Sequence, residues 1–370
     1  MKYFIIAGER SGDLHAANLI KELKLLDANA SFAGMGGDYM RSQGAELVLD
    51  YNKTAFMGFW EVLVHYADIK KAFSVVKQGL EQFKPDVLVC IDYAGFNLRM
   101  AAFAKEKQIP VHFYISPKIW AWNTGRAKKI KELIDRMYVI LPFEKEFYKQ
   151  FDYEVDYVGN PILDEITNFK KDENFRKKYK LDDRPIIAVL PGSRKTEIES
   201  TLYRMLSILP AFSDYQFVVA GVSNQSKKYY DHFRRNGKVE IITDDTYNLL
   251  AHAHAALVAS GTATLETALF NVPQVVCYAV SMPTYWIARM VIKVPYISLV
   301  NLIAGNEVVK ELIQHDFVPH NITTELRKIA EPGALRQKQL DAYKALRHKI
   351  GEPGASANVA KLMYNYLKKN

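Results

Sequence analysis

Short unbroken apolar runs recur along the chain, and between them apolar residues return at helical spacing. Tyr3–Ala7, Asp86–Asp92, Val111–Ile115, Val139–Leu141 and Val155–Val158 read as strands in the first half. Pro185–Leu190, Gln216–Ala220, Val239–Ile242, Ala255–Ala259 and Pro273–Tyr278 read so in the second. Helices are expected over Asp13–Leu26, from Pro142-Phe143 onward, over Lys195–Leu209 and from Thr262 onward. Strands alternating with helices predict an α/β fold with doubly wound sheets, whose strand C-termini face ligands. The charged stretch Asp164–Asp183 reads as helix with a loop at its end, suited to an interdomain connection. A last helix is expected over Ser356–Lys369, with Ser356 as its N-cap. Domains are therefore expected at 1–165 and 166–345. The sequence does not identify the packing partner of the C-terminal helix within 346–370.

Composition changes this picture little. With 370 residues, 49% hydrophobic and 24% charged, each half is large enough for its own core. Cys90 and Cys277 lie far apart in apolar runs, offering no zinc or disulfide framework and fitting a reducing cytoplasm. Lys2 leads directly into a strand, and no apolar run reaches the roughly 18 residues of a membrane span, so neither a signal segment nor a span is expected. The net charge of +8 is more informative. It favours an acidic partner: nucleic acid, anionic lipid or a phosphorylated metabolite. Cations crowd between Arg99 and Lys131, with Glu106 the one acidic residue among them. Such a run is an ordinary solvated face that also suits anionic headgroups.

Candidate chemistry gathers at the turns after strands. At Ser260-Gly261 an apolar run turns into a helix opening at Thr262. Glycine there allows close backbone approach, and free N–H groups with the positive end of the helix dipole suit a pyrophosphate. Glu266, one turn in, is placed to take the hydroxyls of a ribose; the plainer alternative is a capped helix with a surface glutamate. Pro191-Gly-Ser-Arg194 is a second backbone-exposing turn, followed by an arginine suited to phosphate. Gly8–Gly12 is not a Walker A loop, and Gly34-Met-Gly-Gly37 lacks the third glycine of a dinucleotide fingerprint. Asp92 ends a buried strand, where an α/β enzyme keeps a general base, although it also suits a helix cap. Ser116–Trp122 is an aromatic loop fit to cover a sugar or acyl chain. Asn301, Glu307, Glu311 and Gln314 form a polar group further on. His252 and His254 have no third ligand in view, so no metal is expected. Between Ala55 and Tyr66, the residues Phe56, Met57, Phe59, Trp60 and Leu63 stand beside lysines and fit either a membrane surface or core packing.

Taken in order, Ala7-Gly-Glu-Arg-Ser-Gly-Asp13, Met57-Gly, Ile91-Asp92, Ser116-Pro117 with Trp120-Ala-Trp122, and Leu141-Pro-Phe-Glu144 resemble the lipid-A-disaccharide synthase family. Pro191-Gly-Ser-Arg194, Ser260-Gly-Thr262 with Leu265-Glu266, Asn301-Leu-Ile-Ala-Gly305 and Lys310-Glu-Leu-Ile-Gln314 extend the resemblance in one register. The resemblance implies a GT-B fold: two Rossmann-like domains facing across a cleft. It implies that UDP-2,3-diacylglucosamine donates its sugar, with inversion, to 2,3-diacylglucosamine 1-phosphate. UDP leaves, and a β-1,6-linked disaccharide 1-phosphate forms without metal or other cofactor.

On that basis Asp92, Arg194 and Asn301 are expected to be catalytic. Gly192, Ser193, Arg194, Ser260, Gly261, Thr262, Thr264 and Glu266 are expected to bind UDP. Glu9, Ser11, Gly12 and Asp13 are expected to contact substrate from the first loop, and Glu9 and Asp13 rival Asp92 as the base. Trp120, Trp122, Glu307 and Gln314 are candidates for the acceptor or its acyl chains. Acylated substrates stay at the membrane surface, which favours membrane contact for the Phe56–Leu63 patch. A cytoplasmic enzyme held peripherally at the anionic face of the inner membrane is expected. A UDP-GlcNAc 2-epimerase or the transferase that makes lipid II would also explain residues 257–270, but neither explains the Gly-Glu-Arg-Ser-Gly-Asp and Trp-Ala-Trp motifs. A nucleic-acid-binding protein would carry aromatic–basic motifs on a known module, and these are absent.

Overall fold

The computed structural model describes residues 1–51, 66–223, 225–234 and 238–369. Phe56, Met57, Phe59, Trp60 and Leu63 lie outside the described residues. The chain divides into two compact units, Met1–Asp164 with Glu352–Asn370, and Glu165–Gly351.

The first unit holds β1 (Lys2–Ala7), β2 (Ser31–Gly36), β3 (Glu46–Asp50), β4 (Val87–Ile91), β5 (Val111–Tyr114), β6 (Arg136–Val139) and β7 (Asp156–Tyr157). They form one sheet in the order β3-β2-β1-β4-β5-β6-β7. Every pairing is parallel. Tyr3 through Ala7 and Val87 through Ile91 are fully buried. Helices cover both faces, so these strands need no polar side and read as unbroken apolar runs. Each large side chain buried this way contributes about 1.5–3 kcal/mol.

The second unit repeats the plan. Its strands are β8 (Ile186–Leu190), β9 (Gln216–Gly221), β10 (Val239–Thr243), β11 (Ala253–Ala259), β12 (Gln274–Tyr278) and β13 (Lys310–Ile313). Their order is β10-β9-β8-β11-β12-β13, again all parallel. In both sheets the chain steps outward one way, returns, and steps outward the other way. That reversal creates a switch point, between β1 and β4 in one unit and between β8 and β11 in the other. A crevice opens there beyond the strand C-termini.

Several boundaries differ from the sequence expectation. The first helix starts at Arg10, so Ser11, Gly12 and Asp13 belong to its first turn rather than to a loop. The helix after Arg194 stops at Leu206, and a separate 3₁₀ turn covers Leu209–Ala211. The charged connection is split into helices Pro161–Asn168 and Phe175–Lys178. Helix Ala334–Ile350 runs through residue 346.

The last helix, Ala355–Lys369, rejoins the first unit: Val359, Ala360 and Met363 enter the core beside Ala16, Leu19, Ile20 and Leu23. Ser356 lies inside this helix and is not its cap. The carboxylate of Asp164 accepts the N–H groups of Gly354 and Ser356 and satisfies the helix start from a distant point in sequence.

Candidate active site

Pairing of Ala7 with Ile91 brings the ends of β1 and β4 side by side, so Gly8-Glu9 and Asp92 leave the sheet together. Asp92 and Tyr93 both take left-handed backbone conformations, at φ 46° each. Two consecutive non-glycine residues in that region are strained, and surrounding structure must hold them. Asn97 does so: it is fully buried, and its Nδ2 donates to the carbonyls of Asp92 at 2.8 Å and Ile91 at 3.2 Å. Gly8 fits the same corner, since a Cβ there would lie 2.3 Å from the Tyr93 ring. Burial raises the pKa of the Asp92 carboxyl; Lys118 nearby and the N–H of Tyr93 oppose the shift. A carboxylate pushed toward neutrality is a better proton acceptor for a hydroxyl.

The other first-turn acids separate in role. Asp13 is fully buried, and its two oxygens accept the N–H groups of Gly37 (2.9 Å), Tyr39 (3.0 Å) and Met40 (3.0 Å). It anchors the turn after β2 and opens the short helix Asp38–Ser42, with both oxygens engaged by backbone N–H groups. Gly12 is buried under Ala7. Glu9 is half-buried at the N-cap position, and Ser11 is exposed. These two remain at the surface of the corner.

The aromatic loop after β5 is only partly a cover. Trp120 is buried, and its indole N–H donates to Glu144 at 3.1 Å. Glu144 also accepts the N–H of Leu141 at 2.9 Å, and burial raises its pKa to about 7. Trp120 is therefore held inward against Phe143. Trp122 is 47% exposed, with the Arg126 guanidinium 5.9 Å from its ring, and stays available.

In the second unit, Gly192 takes φ 104° and Gly261 φ 147°. Register places Leu190 opposite Val258, so the turns after β8 and β11 also emerge together. The N–H groups of Ser193 and Arg194 are occupied: both donate to Glu197, at 3.2 and 3.3 Å. The Arg194 guanidinium reaches the same carboxylate at 3.5 Å. A carboxylate thus occupies the anion-binding geometry expected of this turn, and a phosphate there would displace it. At the other turn, Ser260 Oγ donates to Ile297 O at 3.0 Å, and Thr264 Oγ1 donates to Gly261 O at 2.8 Å. Those hydroxyls shape the turn; backbone N–H groups at Gly261 and exposed Thr262 are what it offers to a ligand.

Glu266 does not stand alone. Tyr247 Oη lies 3.1 Å from Glu266 and 3.1 Å from Glu165. A phenol has one proton, so it can donate to one carboxylate only. The second contact requires a proton on the other carboxyl. Burial, helped by Glu165, accordingly raises the pKa of Glu266 to about 7, against the Tyr247 hydrogen bond.

Asn301, expected to be catalytic, is fully buried. Its Nδ2 donates to Val309 O and Glu311, both at 2.9 Å. Its Oδ1 accepts from Val308 N at 2.8 Å and Val309 N at 3.0 Å. Every hydrogen-bonding position of the amide is filled. Glu311 in turn accepts the N–H groups of Ile297 and Ser298, so this lock braces the loop segment whose Ile297 carbonyl receives Ser260. Gln314 exchanges hydrogen bonds with both N–H and C=O of Val280. Glu307 is exposed beside Lys310. His252 stacks on Phe175 and its Nδ1 pairs with Asn248 O; His254 Nε2 pairs with Ala330 O. No group of three His, Cys, Asp or Glu fit for a metal occurs among the described residues.

Sequence reasoning missed Asn97, Glu165, Tyr247 and the inward role of Glu144. None carries a local signal, because each acquires its role from a partner brought in by the fold.

Two parallel Rossmann-like sheets, each with turns at its switch point, give the chain the GT-B fold. The UDP-GlcNAc 2-epimerase of Neisseria meningitidis, solved with UDP-GlcNAc, superposes with a TM-score of 0.65 over 100% of both chains at 16% identity, a likeness of fold alone. A family model described as lipid-A-disaccharide synthetase matches residues 3–361. The lipid-A-disaccharide synthase of Myxococcus xanthus is 37% identical, covering 99% of this chain and 97% of the relative. That of Coxiella burnetii is 38% identical, covering 98% of each. The chain belongs to the lipid-A-disaccharide synthetase family.

Proposed function

We propose that the chain is an inverting hexosyltransferase of lipid A synthesis. It transfers the sugar of UDP-2,3-diacylglucosamine to the primary hydroxyl of 2,3-diacylglucosamine 1-phosphate. The observation that carries this reading is the family match along almost the whole chain. The chemistry then assigns the parts. Asp92 accepts the hydroxyl proton as the acceptor oxygen bonds to the anomeric carbon. The bond from that carbon to the UDP oxygen breaks on the opposite side, and its electron pair leaves with UDP. The negative charge that grows there is met by the N–H groups at Gly261 and Thr262 and by Arg194, once phosphate has replaced Glu197 on the Gly192–Arg194 turn. Glu266 accepts the ribose hydroxyls. Asn97 and Asn301 act as positioning residues, one for each turn.

Peripheral attachment to an anionic membrane belongs to the same reading. No helix among the described residues is long and apolar enough to cross a membrane. Helix Met282–Val291 buries none of its residues, and Trp286, Ile287 and Met290 are 54%, 59% and 77% exposed beside Arg289 and Lys293. An apolar stripe flanked by cations supports interfacial binding. The Phe56–Leu63 patch is a second proposed contact.

The test is to supply each acylated sugar alone and both together. UDP should be released, and a disaccharide 1-phosphate detected by mass spectrometry, only with both. UDP release without acceptor, or epimerised donor as the product, would refute the assignment.

A further inference from the structure

A cavity of about 480 Å³ opens in the first unit next to the turn that carries Asp92, a size typical of ligand sites. Ala94 and Gly95, just past that turn, form one side, and Phe73, Leu98 and Phe103 form an apolar wall. Lys77, Arg99, Arg126 and Lys129 surround it, against one carboxylate, Glu106. These cations come from three helices, Tyr66–Phe83, Ala94–Glu106 and Arg126–Leu133, so the fold has collected them and no single charged face explains the cluster.

None of the four forms an ion pair among the described residues, although neighbouring Lys105 and Lys107 both do. Lys77 Nζ lies over the rings of Phe73 and Phe103, at 4.9 and 4.1 Å. Those contacts orient the cation along the apolar wall without neutralising it. Converging like charges raise the local potential, and an entering anion relieves it.

We propose that this cavity binds an anionic amphiphile through a phosphate monoester at Arg99, Arg126 and Lys129 and an acyl chain along Phe73, Leu98 and Phe103. Resting on the function proposed above, that amphiphile is the acceptor, and the cavity is what delivers it to Asp92. Two arginines suit a phosphate monoester because each guanidinium offers parallel donors to its oxygens. An apolar wall alone would take any lipid; the cations select a phosphorylated one.

The test pairs the double variant Arg99→Ala with Arg126→Ala and a single variant, Gly95→Leu. A Cβ added at Gly95 meets no atom within 4 Å, so that variant should fold while putting bulk on that side of the cavity. In both, the KM for 2,3-diacylglucosamine 1-phosphate should rise by about tenfold or more, with UDP affinity unchanged. Calorimetry with dodecyl phosphate, below its micellar concentration, should show the double variant losing binding by a similar factor. Dodecyl maltoside, which has the chain without the phosphate, should not distinguish it from the wild type. Unchanged acceptor KM together with unchanged dodecyl phosphate binding would overturn the proposal. So would loss of binding to phosphatidylglycerol vesicles with dodecyl phosphate binding intact, which would assign the cations to the bulk membrane. If dodecyl phosphate binding depends on the cations but the wild type does not turn over the acylated sugars, the cavity stands and the transferase reading falls.

Discussion

The two switch points are built on the same strand order, yet they present opposite chemistry. Between β1 and β4 the backbone corner is closed: Tyr93 fills the space over Gly8, Asn97 holds the carbonyls, and Asp92 stands in a partly desolvated position. Between β8 and β11 the corner is built for an anion: the Gly261–Thr262 turn leaves N–H groups to a ligand, the Gly192–Arg194 turn already holds the Glu197 carboxylate on its N–H groups, and Arg194 is exposed beside them. One turn raises the pKa of a carboxylate, and the other favours negative charge. The difference lies in the few residues after each strand rather than in the sheet. A shared scaffold therefore fixes where chemistry happens, and a few side chains decide its sign.

Substitutions that break this contrast should differ in size and in what they change. The largest effect is expected from Asp92→Asn, which keeps the shape and removes the base. Turnover should fall about 10²–10⁴-fold with UDP affinity retained in calorimetry. If more than about a tenth of turnover survives, Glu9 becomes the candidate, since both oxygens of Asp13 are engaged by backbone N–H groups.

Asp13→Ala should act on stability instead. Leaving three backbone N–H groups, two of them buried, without their carboxylate should cost about 3 kcal/mol or more. Thermal melting measures it, and a normal melting temperature with lost activity would return Asp13 to the reaction.

Glu266→Ala sharpens the other side and should weaken UDP binding by about 1–3 kcal/mol. The same group sets a pH dependence. Its carboxyl has a pKa raised to about 7, and ribose hydroxyls prefer its charged form. Binding must then release a proton below that pH. UDP affinity should fall as pH drops below about 7, by at most about tenfold per unit, and level off above it. Glu266→Gln should flatten that profile; an unchanged slope would place the ribose elsewhere. The smallest effect concerns metal: excess EDTA should leave turnover intact, and a loss restored by magnesium would require a different account of the leaving phosphate.

Much of the fold was legible in the sequence because parallel strands covered on both faces read as continuous apolar runs. The turns Gly192–Arg194 and Ser260–Thr262 were legible too, since glycine marks backbone positions that other residues resist. Side-chain roles were less so. Asp13, Asn301 and Gln314 look like Asp92 in sequence, being polar residues beside apolar runs. What separates them is whether backbone N–H and C=O groups from other segments fill their hydrogen-bonding positions.

The sequence by itself determined the two α/β halves, the places where the chain turns and the acid at the end of β4. Those features depend on local hydrophobicity and backbone freedom, which short stretches carry in themselves. Only the tertiary structure decided that Asp164 caps the last helix, that Tyr247 holds Glu266 against Glu165, and that four cations from three helices surround one cavity. Each depends on burial and on partners from separate segments, and the free energy of a buried polar group is set by the partners it finds there.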